Sequence, residues 1–403
     1  MTDETNKASA QTGVPESFPP ELLAQPVGAR LEYFEQRCLI SHPRLQEALE
    51  TILQSICPPG EGASSRRPGT MVLVIGPSRV GKTTLIRLLE ERLLAKTKEL
   101  MISDSSFIPF ASILAAGAGT NRFEWAEYYR AVLRALQDPF VDGKIARIRT
   151  KELREATETA LKERKPLAII VDEAHHLAEA ARGSRLQSQL NHLKHFENAA
   201  GVSHILVGTY EMRPFRKANA QLACRSVDIH FPRYDATIET DAQVFQSVVW
   251  ALQRQLPVEK EPSLLDHWEF LYARSIGCIG WLKMHLNRAL NLALTEKAKT
   301  VTLAHLRRTA PSETRVELAL RNALESEAEL TESEGADERL LTLLGLRGAQ
   351  KSQSSKTQEE EHGSSSKKQG RRGTRSPGRD TTGAKPDEDT SIPHLANEEQ
   401  AAG

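Results

Sequence analysis

Residues 76–83, GPSRVGKT, follow the apolar run MVLVI at 71–75 and open the helix-prone stretch TLIRLLEERLLA. Strand, glycine loop and helix in that order make a phosphate-binding loop in its required context. The loop Gly76, Pro77, Ser78, Arg79, Val80 and Gly81 would curl around the β- and γ-phosphates of ATP or GTP, with backbone N–H groups from its residues other than Pro77. Lys82 would pair its charge with those phosphates, and Thr83, with Thr84 beside it, would place a hydroxyl on Mg2+.

A second signal lies in PLAIIVDEAHHL at 166–177, an apolar strand that delivers two adjacent carboxylates to its C-terminal end. That is the pattern of a Walker B site. Asp172 would hold Mg2+ through its water shell, and Glu173 would orient and polarise the water that attacks the γ-phosphate. A glutamate beside the aspartate argues for hydrolysis rather than binding alone. His175 and His176 follow at once, but adjacent residues point in different directions and no third ligand stands at zinc spacing, which leaves them structural or coupling roles.

These residues need a sheet whose strand ends meet. Strand candidates are MVLVI, a stretch around 106–113, 167–172, 204–208 and 226–231, separated by helical segments near 83–99, 123–137, 142–164 and 185–199. Such alternation predicts an α/β fold, a three-layer core with a mostly parallel sheet over 69–234. Strand signals then stop, and helices near 240–255, 264–274, 279–297, 303–309 and 313–328 make a small all-helical lid over 235–329. Ahead of the core, residues 1–27 read as disordered, and 28–68 as a helical segment over 31–56 followed by a linker. From 330 to 403 Ser, Gln, Gly, Lys and Glu dominate, which predicts a disordered C-terminal tail, with SIPHLA at 391–396 as a candidate docking motif.

With 53 basic and 53 acidic residues the net charge is zero, so any nucleic-acid site must be a local patch. The apolar runs are far shorter than the roughly 20 residues that span a bilayer. The polar N-terminus lacks the apolar core of a signal peptide. Four scattered cysteines, Cys38, Cys57, Cys224 and Cys278, fit reduced thiols of a cytoplasmic protein.

A P-loop α/β core followed by a helical lid resembles the AAA+ class. The resemblance implies that nucleotide sits between core and lid in an oligomer. Thr209, just past the strand HILVG, would be a sensor of the γ-phosphate, although a plain strand-to-loop turn is the other reading. Arg225 aligns with the arginine finger that reaches a neighbouring subunit's phosphate, with Arg213 and Arg216 as competitors. The lid helix in RSIGCIGWLKMHLNRAL lacks the arginine usual at its start, and Lys283 is the nearest cation.

Several segments together look like the TniB/TnsC type of transposition regulator: YFEQRCLISHPRLQEAL, GPSRVGKTTL, GTNRFEWAEYYRAVLRAL, VDEAHHL and HILVGTYEM with QLACRS. That similarity covers roughly 30–300. It implies an ATP-dependent oligomer, ring or filament, on double-stranded DNA that links a target-selection protein to a transposase, with hydrolysis controlling disassembly. A loader of replication type and a nucleotide-gated signalling switch that ignores DNA remain as alternatives. Read physically, the loop AAGAGTNR offers Thr120, Asn121 and Arg122 to a phosphate backbone, the next helix adds Arg130 and Arg134, and a second basic stretch includes Lys144, Arg147, Arg149, Lys151 and Arg154. The other reading of that second stretch is a solvated, salt-bridged helix. No base-reading motif is visible, so DNA binding is expected to be largely sequence-independent and salt-sensitive.

Overall fold

The computed structural model describes residues 16–57, 69–115, 123–138, 149–180, 184–217, 226–330 and 336–346. They fall into two units, divided after Glu334.

The core of the larger unit is a parallel sheet of β1 (Met71–Ile75), β2 (Phe110–Leu114), β3 (Ala168–Asp172), β4 (Ser203–Gly208) and β5 (Ser226–His230). Among the described residues its order is β2-β3-β4-β1-β5, with every pairing parallel. A strand covered on both faces favours apolar residues, which is why β1 reads as a continuous apolar run with every residue buried. β4 is buried as completely but opens with Ser203 and His204, whose polar atoms are partnered: Ser203 Oγ accepts the Thr70 N–H at 3.1 Å, and His204 Nε2 lies 3.0 Å from the Tyr128 hydroxyl. The two-residue repeat of a strand sorts the side chains of β1. Met71, Leu73 and Ile75 enter one core, while Val72 and Val74 enter the other.

The first core is closed by α4 (Trp125–Ala135), α5 (Thr150–Arg164) and α7 (Ser184–Ala200), through residues such as Tyr129, Leu161 and Phe196. The second is closed by α2 (Pro43–Ile56) and α3 (Lys82–Ser103), through Ile52, Leu85 and Leu89. Register places Ile75 opposite Gly208 and Val171 opposite Leu206. Gly76, Asp172 and Thr209 therefore emerge side by side at one edge of the sheet, with β4 between the other two strands.

Two short helices, α6 (His175–Ala180) and α8 (Arg213–Lys217), follow β3 and β4. The lid comprises α9 (Glu239–Gln255), α10 (Trp268–Ser275), α11 (Ile279–Thr295), α12 (Leu303–Thr309) and α13 (Glu313–Leu330). The predicted helix near 264–274 divides, because Leu265–His267 forms a separate 3-10 turn. Its core includes Phe245, Leu252, Leu271, Leu286 and Leu290 and takes in Phe34 and Cys38 from the N-terminal segment.

That segment departs from expectation. Instead of one helix over 31–56 there is α1 (Val27–Glu32), a π-helical turn at Tyr33–Arg37, an extended stretch, and then α2. Pro43 sits at the first position of α2, where its missing N–H costs nothing, and the residue before a proline avoids helix. Within the terminus expected to be disordered, Pro20–Ala24 forms a 3-10 turn, and the Phe18 N–H donates to the Arg254 carbonyl at 3.3 Å. The second unit contains α14 (Ala336–Leu343), a helix inside the stretch read as tail. The SIPHLA motif and the rest of 347–403 lie outside the described residues.

Candidate functional site

β1 runs directly into the phosphate loop. Gly81 takes φ +123°, which side chains rarely adopt, and α3 starts one residue later, so its first N–H groups face the loop. The Lys82 side chain is buried and donates to the carbonyls of Gly76 at 3.1 Å and Pro77 at 2.7 Å. Among the described residues no carboxylate forms an ion pair with it. Burial pushes its pKa below the ordinary lysine value, while the fields of Glu173 and Asp172 oppose the shift. A desolvated ammonium held only by carbonyls is a cradle suited to an anion.

Asp172 ends β3, and its Oδ1 accepts the Glu173 N–H at 2.8 Å. Burial raises its carboxyl above the usual carboxylate range. This desolvated carboxylate lines the same cleft as the Thr83 hydroxyl. Hard oxygen donors of this kind fit Mg2+, which would neutralise phosphate charge there. Glu173 takes φ +53°, and its Oε2 lies 3.1 Å from His175 Nδ1, a contact that holds its carboxyl below the usual range. Among the described residues, no three His, Cys, Asp or Glu side chains converge as a metal-ligand set. Thr209 follows β4, and its Oγ1 donates to Glu211 Oε2 at 2.8 Å.

All five groups meet in a cleft of about 440 Å³, lined by Ser78, Arg79, Gly81, Lys82, Thr83, Thr84, Asp172, Glu173 and Thr209, with Gly280 from the lid. A recess of about 40 Å³ adjoins it through Gly81 and Thr84. Its walls are mostly apolar: Leu39, Ile40, Leu45, Val80, Leu252 and Ile279, with Cys38, His42 and Lys283 at its edges. A further cavity of about 690 Å³ shares Ser78, Glu173 and Thr209 and is walled by Ala319, Asn322, Ala323 and Ser326 of α13.

The other expected residues separate into three groups. Lys283 points away from a phosphate role, since its Nζ donates to the carbonyls of Glu35 at 2.9 Å and Cys38 at 2.6 Å. Arg213 pairs with Glu329 at 3.0 Å and Arg216 with Asp228 at 2.7 Å, whereas Arg225 lies outside the described residues. Of the DNA candidates, Thr120, Asn121, Arg122, Lys144 and Arg147 also lie outside. Arg130 pairs with Glu127 at 2.5 Å on its own helix, and Arg154 with Glu158 at 3.0 Å, the pattern of a salt-bridged helix face.

Sequence reading did not reach the recess or the hinge beside it. His42 Nδ1 lies 2.8 Å from the Tyr234 hydroxyl, Arg44 stacks over the Tyr234 ring at 4.3 Å, and Arg44 pairs with Asp241 at 2.6 Å. The His-Pro-Arg run thus fastens the N-terminal segment to the chain where core passes into lid. The signal that could have found it is Pro43, which forces a break before α2 and frees residues 38–42 to line a pocket.

A family model described as an AAA domain matches residues 66–215. Among curated proteins none matches this chain in sequence. Among solved structures, the chain is similar to the Aeropyrum pernix ORC2 protein in its ADP form, at 13% identity over 69% of this chain and 71% of that one, with a TM-score of 0.50. The ADPNP–ADP complexes of that protein give 14% identity, 69% and 70% coverage and a TM-score of 0.48. A chain of Drosophila ORC bound to DNA gives 14%, 85% and 88%, with a TM-score of 0.45. Phosphate loop, paired carboxylates and parallel sheet therefore stand in an AAA-type P-loop ATPase domain, and the chain has the AAA+ fold.

Proposed function

We propose that the protein hydrolyses ATP with Mg2+ and uses the nucleotide to control its assembly on double-stranded DNA, where it connects a target-selection protein to a transposase. One observation carries the enzymatic part. Lys82, Thr83, Asp172, Glu173 and Thr209, drawn from three strand ends, line one cleft between core and lid. In this reading Lys82 and the loop N–H groups hold the phosphates, and Thr83 and Asp172 hold the metal. Glu173 prepares the water, and Thr209 contacts the γ-phosphate. The base lies against the mouth of the apolar recess, with Val80 and Ile279 among its walls, and the recess of about 40 Å³ must widen to enclose it. Arg225 is the residue proposed to act on a neighbouring subunit's nucleotide.

Support for DNA and transposase partners comes from the TniB/TnsC-like segments, with the 120–122 loop, Arg130 and Lys144 as the proposed phosphate contacts. A loader of replication type would use the same fold and cleft and differ in the protein it serves. Electron microscopy with duplex DNA tests the reading, comparing a non-hydrolysable ATP analogue with ADP. Rings or filaments on DNA with the analogue alone, joined by added transposase, are the expected result. Particles indifferent to DNA in both states would sink the DNA reading, and assemblies that ignore transposase but engage a helicase would favour the loader.

A further inference from the structure

His175 occupies a junction that the nucleotide reading leaves unused. It opens α6, and its largely buried imidazole lies between two carboxylates. Nδ1 is 3.1 Å from Glu173 Oε2, and Nε2 is 3.8 Å from Glu211 Oε2. Glu211 in turn accepts from Thr209 Oγ1 at 2.8 Å. Thr209, Glu211, His175 and Glu173 thus form one continuous line of polar side chains joining the end of β4 to the end of β3.

We propose that His175 is a positioning residue that fixes the Glu173 carboxylate through Nδ1 and, through Nε2 and Glu211, ties that orientation to the Thr209 hydroxyl. The proposal rests on the reading of Glu173 as the group that prepares the attacking water. Glutamate has a long, rotatable side chain, and a reacting group misplaced by about 1 Å can lose roughly 100-fold in rate. Glu173 also holds a left-handed backbone conformation, φ +53°, which persists in a non-glycine residue only where its surroundings impose it. The Glu173 backbone is held by the bond from its own N–H to Asp172 Oδ1 at 2.8 Å and by the Ala174 N–H on the Val207 carbonyl at 2.9 Å, while the imidazole meets the carboxylate that this fixed backbone presents.

The chain also has a direction. A threonine hydroxyl carries a single proton to donate, and here it goes to Glu211. A γ-phosphate oxygen entering the cleft competes for that proton. When it wins, Glu211 loses its donor, and its carboxylate is freed to reorient at the His175 end of the line.

The two ring nitrogens do different work, so they can be separated. Asparagine places its amide nitrogen near Nδ1, and glutamine places its own near Nε2. ATP turnover and nucleotide affinity would be measured for the parent, His175→Ala, His175→Asn and His175→Gln. Histidine 15N spectra of the parent and of Glu173→Gln would be recorded beside them. Expected for His175→Ala is a kcat reduced roughly 10- to 100-fold with unchanged nucleotide affinity. His175→Asn should recover most of that loss and His175→Gln little of it. The His175 Nδ1 signal should move in Glu173→Gln. A parent that turns over ATP while His175→Ala matches it would overturn the positioning role alone, as would equal rescue by Gln or a His175 signal indifferent to Glu173→Gln. A parent with no turnover would overturn the ATPase reading, and the positioning role with it.

Discussion

Gly280, in the first turn of α11, lies so close to the phosphate loop that a Cβ placed on it would sit 2.4 Å from the Arg79 carbonyl oxygen. The obstructing atom is backbone and cannot rotate aside. Lid and loop therefore touch at a point where any side chain must push them apart, and both line the cleft through that contact.

Gly280→Ala should widen the cleft at its lid side. Overpacking of this kind costs about 1–3 kcal/mol, so nucleotide affinity is expected to fall roughly tenfold, together with a lower Tm. Titration with a fluorescent ATP analogue checks it. Affinity equal to the parent's would mean that the α11 contact does not set the shape of the site.

Lys82→Ala separates binding from stability. The ammonium is buried against carbonyls, and its pKa is lowered by that burial, so removing it relieves a desolvated charge while taking away the phosphate's partner. The nucleotide-free variant should melt no lower than the parent. A ligand at 100 times its Kd adds about 2.7 kcal/mol to the stability of the folded state, so the parent's Tm should rise with ATP and the variant's should not. A variant that still shifted with ATP would remove Lys82 from the phosphate site.

How much of this was legible depended on the range of the signal. The strands showed themselves as short apolar runs, and the cleft residues Ser78, Arg79, Gly81, Lys82, Thr83, Thr84, Asp172, Glu173 and Thr209 could be named because each follows or closes a strand. Local pattern also marked most of the lid helices closely, since their apolar faces repeat at helical spacing. Lys283 could not be read that way. It faces the carbonyls of Glu35 and Cys38, some 245 residues away in sequence, and only the packing of the N-terminal segment on the lid brings them together. Gly280 has the same character, because its reason is a distant backbone oxygen rather than its own turn. The break at 38–42 was within reach, for Pro43 announces it.

Arg233 and Glu327 join the lid's last helix to the region beside Thr209. The Arg233 side chain is 5% exposed, with Glu327 at 3.2 Å and the Tyr272 hydroxyl at 3.2 Å, and the Tyr210 hydroxyl donates to Glu327 Oε1 at 3.3 Å. Glu327→Ala strips a buried guanidinium of its closest carboxylate, and a loss of about 3 kcal/mol is expected. The double variant Arg233→Met, Glu327→Leu removes both charges and should lose less than the single one. Denaturant melts of the pair decide it, and equal losses would show that Asp235, 3.5 Å from Arg233, suffices as counter-ion.

His42 should make stability depend on acid. Its Nδ1 accepts the Leu45 N–H at 3.3 Å at the start of α2 and lies 2.8 Å from the Tyr234 hydroxyl, so the imidazole serves as an acceptor and must be neutral. Burial, with Arg44 beside it, pushes its pKa from 6.5 down to about 4. Between those values the unfolded chain binds the proton and the folded one does not. The contribution is therefore complete above about pH 6.5 and is lost as pH falls toward 4. His230, pushed to about 4 chiefly by burial, adds in the same direction. Tm should fall between pH 7 and pH 4.5, and fall less in His42→Asn, which keeps a capping oxygen that cannot take up a proton in this range. An asparagine variant whose Tm tracked the parent's over that interval would place the acid sensitivity elsewhere, with His230 the next group to substitute.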